Sequence, residues 1–374
     1  MLAAERRDAA LGAARLLGAG TRRVQELHAG IAGRVFRSVG PASAQVRLVH
    51  DTVTAAAYSA VRAAVVVGGR AAGALSAVRE DGPPLEQSAR ARVALAVLNG
   101  LYGDQLGTSS LATPMALRGD GQEPTGKVAV FLHGLTETEG AWGFRRDRHG
   151  GHTYGSLLRR DLGYSAVWAR YSTGLPVDDN GAALDAALEE LVRDWPVPVE
   201  QLVLIGHSMG GLVTRSALRQ AISSSWLPLV TDTVTLGTPH LGAPLEQAVT
   251  HLTRLLHQLP ETRPVARVLA TRSAGIRDLR RGSLAPLHPG PRHFVVLTTM
   301  TGRGGALVGD GLVLPHSACG DTGQEDTRLA FPDAHVHRLS GLHHFDLLNH
   351  PDVYGQLHRW LGQPQQHLHA TPPL

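Results

Sequence analysis

A serine between glycines is the first place in this sequence where residue type and spacing suggest chemistry. Gly206-His207-Ser208-Met209-Gly210 matches G-x-S-x-G, and Gly211 follows it. A serine hydroxyl is a weak nucleophile at neutral pH. It needs a base within hydrogen-bond reach and a third group that fixes the base's tautomer. Glycine supplies 43 of 374 residues, so the bare pattern arises easily and its surroundings must decide. Ahead of it, Leu202-Val203-Leu204-Ile205 reads as a buried parallel strand. Behind it, Leu212, Val213, Ala217 and Leu218 share one helical face. Strand, sharp turn and helix form a nucleophile elbow, which lifts Ser208 above a sheet and requires small residues at Gly206 and Gly210.

Acyl transfer at such an elbow is completed, in chain order, by an acid past a later strand and a histidine past the last one. Asp310, in Gly309-Asp310-Gly311, follows an apolar strand expected over 293–297, and its glycines suit an exposed turn. Asp321 and Asp326 sit in a polar loop further from any strand end. There are 20 histidines, so position has to discriminate among them. His343 and His344 occupy the turn between a strand over 334–339 and the final helix. His335 and His337 lie on that strand, and His350 is nearer the helix. His344 is favoured, with His343 second. The oxyanion needs two backbone N–H donors, one from the residue after the nucleophile and one from a loop after an earlier strand. Met209 is the first, and Leu135, in His133-Gly134-Leu135, the second. His133, Gly134 and His207 flank the site in supporting roles.

These groups need a frame. Apolar runs over 127–132, 164–170, 202–205, 230–236, 293–297 and 334–339 read as strands. Between them lie helices over 154–162, from Asp178, Asp179 or Asn180 onward, and from Pro351. The alternation predicts an α/β class fold, a doubly wound, mostly parallel sheet with helices on both faces. Ligands then gather at the carboxyl ends of strands, where Leu135, Ser208 and His240 fall. Residues 1–118 form an Ala-rich helical region, 119–365 the catalytic domain, and 366–374 a frayed tail. Within the domain, 245–284 is helical with Leu245, Val249, Leu252, Leu256 and Leu259 on one stripe, either a lid over the site or a connecting helix.

Composition excludes several classes. The pI is about 9.6, yet the net charge is only +4, and the arginines are too scattered for a nucleic-acid surface. Cys319 is the only cysteine, so the chain has no internal disulfide. There is no H-E-x-x-H, no cysteine pair and no phosphate-binding loop, so neither a metal nor a cofactor is expected. The first residues lack an uncharged apolar core of the signal-peptide kind, and Arg62 interrupts the most apolar window, 52–69. A soluble, cytoplasmic protein is expected. Arginines on the polar face of its N-terminal helices suit peripheral contact with a membrane or lipid surface.

LHG at 132–134, GHSMGG at 206–211, LGTPHLGAP at 236–244, GDGLV at 309–313 and HHFDLLNHP at 343–351 together resemble lipases and esterases of the α/β-hydrolase superfamily. The nearest likeness is to the branch with GPI inositol-deacylase-like proteins. The resemblance implies a triad of Ser208, Asp310 and His344, with Leu135 and Met209 as oxyanion donors and an ester of an apolar acyl group as substrate. It favours His344 over His343, because the base is followed by an apolar residue and then an acid. Asp346 matches an acid that binds structural calcium in certain bacterial lipases, whereas His350 stands where an oxygen ligand is wanted. A thioesterase or amidase would use the same triad. The other class is a non-catalytic module that binds a lipid surface or a protein partner.

Overall fold

The computed structural model describes residues 1–39, 44–76, 82–243, 273–300, 309–324 and 328–363. These fall into two compact units. One takes in Met1–Leu95 and Gln105–Ala112, and the other Ala96–Asp104 and the described residues from Thr113 onward.

The second unit is built on a seven-stranded sheet in the order β1-β3-β2-β4-β5-β6-β7. The strands are β1 (Ala116–Gly119), β2 (Lys127–Leu132), β3 (Ser165–Arg170), β4 (Gln201–His207), β5 (Val230–Leu236), β6 (Arg292–Thr299) and β7 (Val336–Ser340). Only β1 runs antiparallel, against β3; every other pairing is parallel. Both faces are covered, and the two-residue strand period divides the core accordingly. Val128, Val130 and Leu132 of β2 enter one core with Leu184, Leu188 and Leu212. Ala129 and Phe131 enter the other with Tyr154, Leu158, Leu357 and Trp360. Those partners lie on helices α4 (Tyr154–Leu162), α5 (Val177–Asp194), α6 (Met209–Gln220) and α8 (Pro351–Leu361). Because β3 pairs on one side of β2 and β4 on the other, the winding reverses between β2 and β4. In such sheets the crevice at the reversal is where ligands bind, and Ser208 follows β4 directly.

The strands expected from apolar runs are present, with shifts of one or two residues at their ends. Three expectations need correction. The boundary at 118 cuts through β1, whose ladder with β3 joins Ala116 to Arg170 and Gly119 to Val167. The middle of α3 (Ala89–Leu106) also belongs to the sheet unit. There Gly100 and Gly103 leave no room for a side chain: a Cβ at Gly103 would stand 2.3 Å from Ser172 Oγ. Finally, α5 is capped by Pro176, so Asp178 and Asp179 fall in its first turn, where carboxylates favour the helix dipole. Of the stretch expected as a lid, 245–272 lies outside the described residues, as does the expected tail at 366–374. Its remainder holds the helix α7 (Ala274–Arg281), with Ala274, Ile276 and Leu279 buried.

The first unit contains a long helical hairpin, α1 (Ala3–Val39) and α2 (Ala44–Ser76). Small residues set its close approach: a Cβ at Gly69 would lie 2.4 Å from that of Ala14. Arg62, which interrupts the apolar window, is partly buried and donates to Gln25 of α1 and to Ser59. The 25 residues His50–Ala74 are long and apolar enough, by length and composition, to cross a bilayer. Val53, Val61, Val66 and Val67 are exposed along them.

Candidate active site

The elbow takes the strained form its sequence demands. Ser208 has φ 52° and ψ −119°, one of three non-glycine residues with positive φ among those described. Such backbone persists only where surrounding contacts hold it, typically at a cost of about 1–3 kcal/mol. Here the Ser208 N–H donates to Leu236 O at 2.8 Å, hanging the turn on β5. A Cβ at Gly206 would lie 2.5 Å from Gly211 N, and one at Gly210 2.4 Å from Leu132 O. Both glycines are therefore steric necessities. Ser208 occupies the N-cap position of α6, yet its hydroxyl makes no capping bond.

Asp310 and His344, 34 positions apart, come together. His344 Nδ1 lies 2.7 Å from Asp310 Oδ2, and both side chains are buried. Asp310 Oδ1 accepts the N–H groups of Leu312 and Val313, at 2.9 and 2.8 Å. The turn depends on Gly309 (φ 62°) and Gly311 (φ 97°), which flank the acid. His344 donates its own N–H to Asp310 O at 3.0 Å, a second tie between the two loops. A carboxylate on Nδ1 holds the proton there and leaves Nε2 as the basic nitrogen. The hydrogen bond of the His344 ring goes to Asp310 through Nδ1, and a nucleophile–base contact commonly tightens only with substrate bound. His343 is exposed, and its N–H donates to Asp346 Oδ2.

At the end of β2, Leu135 is half-buried, and Met209 opens α6. Neither N–H has an acceptor among the described residues, as an oxyanion donor requires. Gly134 lies against the elbow, since a Cβ there would stand 3.1 Å from Ser208 Cβ. Two residues on, Thr136 has φ 60°, rare for a β-branched side chain, and its N–H donates to Thr173 Oγ1 at 3.0 Å. His133 is fully buried and stacks on Tyr171 with ring centroids 4.6 Å apart; the Tyr171 hydroxyl donates to His133 O at 2.6 Å. Burial holds the His133 imidazole below its usual pKa, which suits a neutral packing residue.

Two residues at the site carried little signal in sequence. Glu137 Oε2 accepts the Gly134 N–H at 2.6 Å and faces His207 Nδ1 at 3.2 Å. An acid three residues beyond His-Gly was the only hint. Arg145, with φ 51°, reaches across to pair with Asp346. Asp346 is thus engaged by a guanidinium and by the His343 N–H, which leaves it poorly suited to a cation. No group of three or more metal-ligating side chains occurs among the described residues. His240, fully buried, takes Arg215 Nη1 at Nδ1 (3.0 Å); burial first and Arg215 second hold it well below the usual imidazole pKa, so it is structural. His335 and His337 sit at β7 and His350 caps α8. Asp321 lies in an exposed turn, and Asp326 is outside the described residues.

The PGAP1-like alpha/beta domain family matches residues 183–287, which include the elbow and β5. No curated protein matches the sequence. Among solved structures, mature Bacillus licheniformis lipase BlEst2 aligns at 21% identity over 66% of this chain and 97% of its own, with a TM-score of 0.46. Pyrococcus furiosus esterase Pf2001 aligns at 16% identity over 64% and 83%, TM-score 0.38. Aspergillus fumigatus lipase B aligns at 14% over 66% and 56%, TM-score 0.41. These alignments are distant, and the strand order with its elbow carries the fold assignment. On that topology the chain has an α/β-hydrolase fold, and its segment 183–287 is similar to the PGAP1-like alpha/beta domain.

Proposed function

We propose that this protein is a serine hydrolase that cleaves carboxylic esters through an acyl-Ser208 intermediate. The observation that carries the reading is the buried 2.7 Å contact between His344 and Asp310, on loops beside an elbow strained at Ser208. Ser208 Oγ attacks the ester carbonyl as His344 Nε2 takes its proton. Asp310 keeps the imidazole in the Nδ1–H tautomer and stabilises the imidazolium that forms. The Leu135 and Met209 N–H groups receive the oxyanion; losing one such donor typically costs about a hundred- to a thousandfold in turnover. The intermediate collapses as His344 returns the proton to the departing alkoxide. Water then repeats the sequence on the acyl-enzyme, releasing the acid and freeing Ser208.

A lipid-like substrate is supported by the resemblance to lipases and by the hairpin. Residues 1–76 hold ten arginines against four carboxylates, a formal +6, although the whole chain carries only +4. With the exposed valines of α2, that charge fits an anionic lipid surface, to which the hairpin docks peripherally. Full-length protein is expected to float with anionic vesicles and much less with zwitterionic ones. Failure to bind either removes the docking role and leaves the reaction untouched.

Fluorophosphonate labelling tests the reaction itself. Wild-type protein should form an adduct at Ser208 that Ser208→Ala cannot form. Folded wild-type protein that takes no label refutes the hydrolase and favours a non-catalytic module. A rate series over esters and thioesters of increasing acyl length then identifies the substrate.

A further inference from the structure

His207 precedes the nucleophile, is fully buried, and has a hydrogen-bond inventory that the reaction above does not explain. Its Nδ1 faces Glu137 Oε2 at 3.2 Å, and its Nε2 faces the backbone oxygen of His344 at 3.3 Å. A carboxylate and a backbone carbonyl both only accept. A neutral imidazole carries one N–H, so it would leave a lone pair aimed at an oxygen. Turning the ring over sets carbon atoms against both oxygens and loses both contacts. An imidazolium, with two donors, satisfies the pair.

We propose that His207 is held as an imidazolium by Glu137 and acts as a positioning residue, tying the base-bearing turn and the oxyanion loop to the nucleophile elbow. Three loops from three strands meet through it. Glu137 also accepts the Gly134 N–H at 2.6 Å, so one carboxylate oxygen holds both the oxyanion loop and the His207 ring. The far side of that ring donates to the backbone of the residue that carries the base. The effect on rate rests on the serine-hydrolase reading; the proton inventory of His207 does not.

Electrostatics agrees with the geometry. Burial alone would lower the His207 pKa, but the charge and hydrogen bond of Glu137 outweigh it and raise it. Burial alone would likewise raise Glu137, yet His207 and the Gly134 N–H hold that carboxyl at about 2. Around the ring stand Glu137, the His344 imidazole at 4.7 Å between centroids and the Trp142 edge at 6.4 Å. Asp310 and His133 contribute charge interactions, the first favouring the cation and the second opposing it. One consequence concerns the chemistry directly. A cationic ring has no lone pair, so His207 cannot compete with His344 for the Ser208 proton, although it is the sequence neighbour.

Nitrogen-15 NMR of the histidine rings in the full chain tests the proton count, with His207→Asn identifying the resonances. At about pH 7 both His207 nitrogens should be protonated. One protonated and one bare nitrogen in folded protein overturns the proposal. Glu137→Gln keeps the shape and removes the counter-charge. It should lower kcat about a hundredfold with KM within about threefold, as expected when reacting groups are misplaced but binding persists. Its rate should also fall at a lower pH than wild type as His207 deprotonates. A Glu137→Gln variant with wild-type kcat and pH profile refutes the positioning role. Wild-type protein that hydrolyses no ester sinks the hydrolase reading alone, because the NMR result still decides the state of His207.

Discussion

Ser208→Gly should be more stable than Ser208→Ala, although both lose activity. The perturbation isolates the backbone, because neither variant has a hydroxyl. At φ 52° and ψ −119° any residue with a Cβ is strained, by about 1–3 kcal/mol. Glycine adopts positive φ freely but gives up about 0.5–1 kcal/mol of unfolded-chain entropy relative to alanine. The balance favours Ser208→Gly by about 1 kcal/mol, with the full range running from about zero to about 2.5. For a unit of this size that corresponds to about 2–4 °C in Tm. Urea titration of the two variants, followed by tryptophan fluorescence, reads the difference as a change in midpoint at a common slope. Fluorophosphonate labelling confirms that both are inactive. If Ser208→Gly proves less stable than Ser208→Ala by about 1 kcal/mol or more, the elbow stores no strain and the steric argument for Gly206 and Gly210 fails with it.

Asp310→Asn should keep the fold, because an amide oxygen can still accept from Leu312 and Val313, yet lower kcat by about ten-thousandfold through the wrong tautomer of His344. A loss below about tenfold in steady-state kinetics removes Asp310 from the triad. The Glu137 carboxyl is depressed from 4.5 to about 2 in the fold, so its stabilisation is present above about 4.5 and is lost as pH falls toward 2. Acid unfolding of Glu137→Gln should therefore depend less on pH across that window than wild type, and parallel curves refute the coupling. In the hairpin, Gly69→Leu forces a side chain where even a Cβ would lie 2.4 Å from that of Ala14. It should open α1 from α2 and raise protease cleavage there, and unchanged digestion contradicts the packing.

How much was legible follows from how far each constraint reaches. The elbow was legible because its demands are local: a buried strand, small residues at Gly206 and Gly210, and an amphipathic helix, all within about 20 residues. The meeting of Asp310 with His344 was legible by chain order, since a doubly wound sheet delivers its loops to one end in sequence. His344 was preferred to His343 at the residue level and the resemblance supported that choice, because spacing alone separates neighbouring residues weakly. Four-residue β1 escaped notice: its half-exposed pattern has no clear period, and its order comes from pairing with β3. The N-terminal boundary failed for a similar reason, since helix propensity runs through α3 without marking that its middle packs with the sheet.

By itself the sequence determined which segments are strands and helices, where the backbone must be glycine, and which loops carry Asp310 and His344, whose side chains meet. Those outcomes depend on dihedral preference and burial period, which act over a few residues. Only the tertiary structure decided that Glu137 faces His207, 70 positions away, and that Arg145 meets Asp346 across 201. Such pairs form because packing removes water from both partners, and a buried charge then requires whatever partner the fold sets beside it.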